Sequence, residues 1–167
     1  MKCFLALFLI PLALLGCGYT PVALGPGIGV KTLFIEPMDN RTAEPFLDSL
    51  VTNSLMARFG RDSRLTLVKN RKDAEAILTG TVTSYSRTAV SYDRTDNIQE
   101  YRSIMKVSAS LRRVSDGKIL WKNNVSWTEE SMNSSDRAVQ EDQETAAIQT
   151  ICERLAEQVY NRMQDNF

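Results

Sequence analysis

The order of apolar and polar residues predicts β-strands in the middle of the chain. Apolar and polar side chains alternate from residue 101 to residue 114, a period of two that is typical of a strand with one buried face. One face would carry Met105, Val107, Ala109 and Leu111, and the other Lys106, Ser108, Ser110 and Arg112. Runs of β-branched and aromatic residues predict further strands at residues 30–36, 76–85 and 119–128, and a short strand or strand entry at 65–68.

Two segments repeat their apolar residues every three to four positions, which indicates helices. The first helix is predicted over residues 44–59, with Pro45 in its first turn and Gly60 after its end. The second is predicted over residues 136–163, with Cys152 on its apolar stripe. Residues 37–40, which begin with Pro37, predict a turn, and residues 88–100 predict a polar hairpin tip. Asp116 with Gly117 predicts a tight turn.

These elements predict an α+β fold, with two helices on one face of a four-stranded, mostly antiparallel sheet in the order β-α-β-β-β-α. Residues 30–167 are long enough to form one globular domain with a stable core and no disulfide. The face that carries Lys106 and Arg112 is polar, so it must meet water or a polar partner.

The N-terminus predicts export and a lipid anchor. Lys2 and the apolar residues 4–15 form a run too short to span a membrane, so residues 1–16 are expected to be a signal peptide that is removed. The residues Leu14-Leu15-Gly16-Cys17 resemble the bacterial lipobox, in which the cysteine is acylated and becomes the new N-terminus. An ordinary signal peptide with a nearby cysteine is the alternative. Residues 17–29, rich in Gly and Pro, are interpreted as a lipidated N-terminus and flexible tether.

The lipobox resemblance implies a diacylglyceryl thioether on Cys17 and a further acyl chain, such as palmitate, on its amine. Gly18 follows where an Asp would signal retention, which suggests the outer membrane. Cys3 would leave with the signal peptide and Cys17 would carry lipid. Cys152 would then remain alone, as a buried small hydrophobe with no disulfide partner in its own chain.

The amino-acid composition limits the kinds of catalytic and binding site that the chain can form. The chain has no histidine, which excludes Ser-His and Cys-His nucleophile pairs and histidine metal sites, and no cofactor or metal site is expected. With 20 basic and 20 acidic residues it lacks the basic excess of a nucleic-acid binder. The charge is uneven: residues 87–122 hold eight basic and four acidic groups, and residues 129–165 hold three basic and nine acidic groups. Two regions of opposite charge could contact different partners, or both could be solvated surface.

Several segments resemble the lipopolysaccharide-assembly lipoprotein family, LptE. Their sequences are Cys-Gly-Tyr at 17–19, LFIEPMDNRT at 33–42, DAEAILTGTV at 73–82 and GKILW at 117–121. The similarity covers nearly the whole mature chain, and the order of elements agrees. It implies a non-enzymatic part of the outer-membrane translocon, periplasm-facing or within the barrel lumen. Such a protein plugs the large β-barrel partner LptD, assists its assembly and binds lipopolysaccharide.

Lipopolysaccharide carries phosphates, so basic side chains of the positive segment are the candidate contacts. The candidates are Arg87, Arg94, Arg102, Lys106 and Arg112. The alternative function is that of a periplasmic scaffold or activator lipoprotein of similar fold, which regulates an envelope enzyme or a secretion channel. It predicts a contact with a soluble domain and no affinity for lipopolysaccharide.

Overall fold

The structure, a computed structural model, describes residues 29–165. The strands are β1 (Thr32–Ile35), β2 (Asp39–Asn40), β3 (Thr66–Leu67), β4 (Ala76–Tyr92), β5 (Ile98–Arg113) and β6 (Ile119–Met132), and the helices are α1 (Leu47–Phe59) and α2 (Arg137–Gln164). A 3-10 turn, Arg71–Asp73, precedes β4. The expected signal peptide at residues 1–16, the anchor Cys17 and the tether up to residue 28 lie outside the described residues.

The predicted fold class is confirmed, but the sheet has six strands instead of four. Its order is β3-β1-β4-β5-β6, with β2 also paired to β4. β1 runs parallel to β3 and β4, whereas β4, β5 and β6 form an antiparallel meander. The count of four was wrong because the two-residue strand β2 was not predicted and because the short strand expected at residues 65–68, present as β3, was not counted in the sheet.

The meander extends further than the sequence predicts. β4 continues to Tyr92 and β5 begins at Ile98, so the connection covers only residues 93–97, and the expectation of a hairpin tip over residues 88–100 was wrong. Thr88 pairs with Arg102 and Glu100 with Met132, so strand pairing continues through this segment. Most of its side chains are at least partly exposed, so alternation of apolar and polar residues gives no signal there, although the backbone ladder persists.

Helix α1 begins three residues later than predicted because the preceding loop has its own hydrogen bonds. The Asn40 Oδ1 accepts bonds from Thr42 N at 2.9 Å and Thr42 Oγ1 at 2.8 Å, and the Asn40 Nδ2 donates to the Glu44 carbonyl at 2.7 Å. Phe46 then adopts a left-handed φ of 63° before the first helical residue. Pro45 therefore precedes the helix instead of lying in its first turn.

The core lies between the helices and one face of the sheet, which we call the inner face. As the alternation predicts, Met105, Val107, Ala109 and Leu111 are buried on this face. Helix α2 begins within one residue of its predicted start, where the Asp136 side chain accepts a bond from Ala138 N at 2.9 Å. Cys152 is fully buried among core residues, and burial raises the pKa of its thiol to about 12. Its prediction as a buried hydrophobe is confirmed.

A buried carboxylate joins the loop after α1 to the C-terminal part of α2. The Asp62 Oδ1 accepts a bond from Arg64 Nε at 3.0 Å, and its Oδ2 accepts one from the Tyr160 hydroxyl at 2.8 Å. The hydrogen bonds from Arg64, opposed by burial, lower the pKa of Asp62 to about 2. The two helices are thereby held together on the same side of the sheet.

Candidate functional site

The face of the sheet that is turned away from both helices, called the outer face here, is polar. Lys106, Ser108, Ser110 and Arg112 of β5 point to this side because their neighbours in the strand are buried in the core. Lys106 and Arg112 are exposed, and the two serines between them are partly exposed. The predicted polar face therefore exists, and it is open to a partner.

Strand register extends this polar row to both sides of β5. Lys106 lies between Ser84 and Ser126, Ser108 between Thr81 and Asn124, and Ser110 between Thr79 and Lys122. The Thr79 and Ser110 hydroxyls are 3.0 Å apart. The centre of the face is a shallow depression lined by Thr83, Lys106, Ser108, Asn124, Val125 and Ser126. Hydroxyl, amide and ammonium groups in such an array can bind phosphate and sugar oxygens.

Three cations of this face have no acidic partner among the described residues. Lys106, Arg112 and Lys122 take part in none of the ion pairs found between residues 29 and 165. Their charge is therefore available to an anion from outside. Lys122 was not among the predicted site residues, although the alternation of Lys122, Asn124 and Ser126 on β6 could have indicated it.

Arg102 lies on the same face but already has a partner. Its Nε and Nη2 donate to the Glu130 Oε1 at 3.0 and 2.8 Å. Both side chains are about half exposed, so this pair is held weakly and an external phosphate can compete for it. Arg102 and Lys106 are four residues apart on β5, which places them roughly 13 Å from each other along the strand.

Arg87 lies on the opposite side of the sheet from these residues. Its Nη1 is 3.1 Å from the Glu144 Oε2 of α2, and its guanidinium lies 3.7 Å above the Tyr101 ring. The side chain is only 20% exposed, and its Nε and Nη2 have no hydrogen-bond partner among the described residues. Arg87 therefore cannot touch a ligand on the outer face unless the strand separates from α2.

Arg94 is exposed in the β4–β5 connection, far from the other candidates. The connection is ordered by Asp93, whose carboxylate accepts bonds from the backbone and side chains of Thr95 and Asn97 and whose pKa is held well below its usual range. Along β5, the tip lies roughly 45–50 Å from Arg112. The predicted residues thus form one row on β5, with Arg94 at the distal end and Arg87 behind the sheet.

The rest of the described chain offers no concentrated set of reactive groups. Among residues 29–165, no group of three or more Cys, Asp or Glu side chains is arranged to hold a metal ion. The raised pKa of the buried Cys152 keeps its thiol protonated and unreactive near neutral pH. Neither described helix is long and apolar enough to cross a membrane.

Comparison with protein families identifies a match over most of the chain. The model of the family described as LptE, lipopolysaccharide-assembly, matches residues 30–163. This range begins just before β1 and ends one residue before the end of α2, so it covers all the described strands and almost all of both described helices. Among curated proteins, none matches this chain in sequence.

Solved structures of other bacterial proteins have a similar fold. Rare lipoprotein B from Shewanella oneidensis is 15% identical with a TM-score of 0.55, over 81% of this chain and 95% of that chain. An uncharacterized lipoprotein B from Nitrosomonas europaea is 14% identical with a TM-score of 0.57, over 78% and 80%. A hypothetical protein from Chlamydia trachomatis is 9% identical with a TM-score of 0.57, over 81% and 96%. At these identities the likeness concerns the fold alone.

Proposed function

The chain belongs to the LptE family of lipopolysaccharide-assembly lipoproteins, and on that premise we propose that it plugs a large outer-membrane β-barrel, the LptD translocon, and binds lipopolysaccharide there. In this function it is not an enzyme. It assists assembly of the barrel and contacts lipopolysaccharide during insertion into the outer leaflet. Acyl chains on Cys17 hold it in the outer membrane, because several buried chains give a stable anchor.

The observation that carries the proposed binding of lipopolysaccharide is the row of unpaired cations on the outer face. Lys106, Arg112 and Lys122 flank hydroxyl and amide groups, and no carboxylate among the described residues neutralises them. Phosphates of lipopolysaccharide would pair with the cations while sugar hydroxyls bond to the serine and threonine side chains. Arg102 joins the row if a phosphate replaces Glu130 as its partner, and Arg94 would contact a distal part of the ligand.

The proposed plug role agrees with the polarity of the same surface. The lumen of a large outer-membrane barrel is polar, so a protein inside it needs a surface that hydrogen-bonds instead of an exposed apolar face. The outer face of β4–β6 meets this requirement along most of its length, with the exposed apolar residues Ile119 and Met132 at its two ends. Inside such a lumen, cations are less screened by salt than on a free surface, which would strengthen their pairing with phosphate.

The binding proposal is tested by charge reversal. Lys106→Glu with Arg112→Glu should weaken binding of purified lipopolysaccharide by about tenfold or more, because each substitution removes a charge-assisted hydrogen bond to phosphate. Arg41→Glu with Lys69→Glu is the matched control, since it changes the net charge equally at two other positions outside the outer face. Circular dichroism verifies that both variants fold. Equal binding by both variants would remove Lys106 and Arg112 from the site.

The plug proposal is tested by the partner that co-purifies in detergent. The acylated chain, extracted from membranes of its host, should bring with it an outer-membrane β-barrel of much larger mass. Recovery of a soluble envelope enzyme or of a homo-oligomeric ring would instead favour the scaffold or activator function. The Cys17→Ser variant should no longer incorporate labelled palmitate, and incorporation at the level of the unmodified chain would contradict acylation of Cys17.

A further inference from the structure

The first described residues and the β5–β6 turn lie at the same end of the sheet. Val114 N donates to the Glu75 carbonyl at 2.8 Å, and Lys31 N donates to the Glu75 Oε2 at 2.6 Å. Gly29 and Val30 line a shallow cavity together with Arg113, Val114 and Ser115. We call this region, residues 29–31, Glu75 and residues 113–119, the turn end.

The turn end combines exposed aliphatic side chains with cations. Val114 is 44% exposed and Ile119 is 56% exposed. The turn end also contains the cations Lys31, Arg113 and Lys118 and the carboxylates of Glu75 and Asp116. The Asp116 Oδ2 accepts a bond from Arg113 Nη1 at 3.0 Å, whereas the side-chain ammonium groups of Lys31 and Lys118 take part in no ion pair among the described residues. Aliphatic groups beside excess positive charge match the interface of an anionic lipid layer.

Chain length places this end close to a membrane if Cys17 is acylated. Twelve peptide steps separate Cys17 from Gly29, and a chain extends by at most about 3.6 Å per residue, so Gly29 lies within about 40 Å of the lipid-bearing residue in any conformation. The hairpin tip at residues 93–97 is roughly 50 Å further along the sheet. The anchor therefore raises the effective concentration of lipid at the turn end much more than at the tip.

We propose that the turn end lies on the phospholipid leaflet that holds the acyl chains of Cys17. Val114 and Ile119 enter the headgroup layer, and Arg113 and Lys118 pair with lipid phosphates. The inference rests on the anchor of the proposed function, and it adds an orientation: the β4–β5 hairpin points away from that leaflet. Each cation beside an anionic surface contributes about fivefold to partitioning, which is weak alone but sufficient for an end that is already tethered.

The test measures membrane proximity at both ends of the acylated full-length protein. A fluorophore is attached to Ser115→Cys at the turn end or to Ser135→Cys at the opposite end, both exposed positions. Cys152 is buried and does not take the label. The protein is reconstituted in vesicles of phosphatidylethanolamine and phosphatidylglycerol that contain doxyl-labelled lipid. Quenching should be severalfold stronger at position 115, and equal quenching, or stronger quenching at 135, would overturn the proposal.

A pair of double variants tests the side chains named. Lys118→Ser with Ile119→Ser should reduce quenching at position 115 to the level at position 135. Arg137→Ser with Val139→Ser removes one exposed cation and one exposed aliphatic residue at the opposite end, and it should change nothing. Unchanged quenching in the first variant would exclude Lys118 and Ile119 from lipid contact.

Vesicle flotation separates this inference from its premise. Protein that does not float with vesicles lacks the anchor, and that result contradicts both the anchor and the orientation. Protein that floats but shows no difference between the two labels keeps its anchor, and only the orientation is then wrong. Neither measurement depends on the β-barrel partner. Failure to recover that partner would therefore contradict the plug proposal without contradicting the lipid contact.

Discussion

The inner and outer faces of β5 differ in burial and polarity although they share one backbone. Met105 is fully buried against the helices, and the next residue, Lys106, is exposed on the opposite side. The inner face supplies burial of apolar surface, which stabilises the fold. The outer face supplies charge and hydrogen-bonding groups, and we expect it to contribute little to stability. Because successive side chains point to opposite faces, one strand provides core residues on its inner face and candidate binding residues on its outer face.

Ion pairs show the same difference between the two sides. On the helix side, Asp62 is buried and bound by Arg64 and Tyr160, so its charge is stabilised by fixed partners. On the outer face, Lys106 and Arg112 have no such partners among the described residues, and the Arg102–Glu130 pair is half exposed. The charges on the helix side stabilise the packing of the helices, whereas Lys106 and Arg112 on the outer face remain available to an external anion.

Substitutions of two adjacent residues in β5 should show the largest difference between the inner and outer faces. Met105→Ala should lower the free energy of unfolding by about 2–5 kcal/mol, because it removes buried methylene groups and leaves a cavity. Lys106→Ala should change it by less than about 0.5 kcal/mol, since the side chain is exposed and unpaired. Denaturant unfolding measures both. A Lys106→Ala decrease as large as that of Met105→Ala would show that the outer face contributes to folding.

A second, smaller effect is expected where the inner face leaves no room for a side chain. A Cβ at Gly80 would lie 2.7 Å from the Met38 sulfur and 2.7 Å from the Ser108 carbonyl oxygen. Gly80→Ala should therefore lower the free energy of unfolding by about 1–3 kcal/mol through overpacking. Ser110→Ala, on the outer face of β5, is the control and should cost less. Thermal unfolding distinguishes the two, and equal melting temperatures would contradict tight packing at Gly80.

The smallest effect concerns the two kinds of carboxylate and depends on pH. Because the pKa of Asp62 is lowered to about 2, its ion pair stabilises the fold above pH 4, and this contribution is lost as pH falls towards 2. Asp62→Asn should lower the free energy of unfolding at pH 7 by at most about 2 kcal/mol and flatten its decrease between pH 4 and 2. Glu130→Gln, at the exposed pair, should change it by less than about 1 kcal/mol. Unfolding curves across this pH range measure the effect. If the free energy of unfolding decreased equally steeply in Asp62→Asn and in the unmodified chain, Asp62 would be excluded as the titrating group.

The helices and strands that bury one face were predictable from the sequence. In β5, α1 and α2, the burial of alternate or every third to fourth residue leaves a readable period, and the structure confirms these elements. Sequence reasoning failed at residues 88–92 and 98–100, where strand pairing continues through side chains that are mostly part-exposed or exposed. It also failed at β2, because a two-residue strand exists only through its pairing with β4.

The candidate site was predictable only as a set of charges. The basic residues of the segment 87–122 are visible in the sequence, but their distribution over two faces and two ends is not. Arg87 and Arg102 are both basic residues of this segment, but they lie on opposite faces of the sheet. Arg87 contacts Glu144 of α2, and Arg102 pairs with Glu130 on the outer face. Register shifts in β4, between Val82 and Ser84 and between Ala89 and Ser91, move side chains from one face to the other, and no local pattern indicated them.

The sequence alone determined the fold class, the apolar face of β5 and the place of Cys152 on an apolar stripe, since each depends on local spacing and the order of elements. It also carried the resemblance to a lipoprotein family, through short segments similar to those of that family. The tertiary structure decided which cations lie together without acidic partners among the described residues, and which end of the sheet adjoins the first of those residues. These properties arise from strand register and from the packing of α2, which bring together residues far apart in the chain. Long-range pairing has no counterpart in local periodicity, so only the folded chain could specify the surface where we expect an anionic glycolipid to bind.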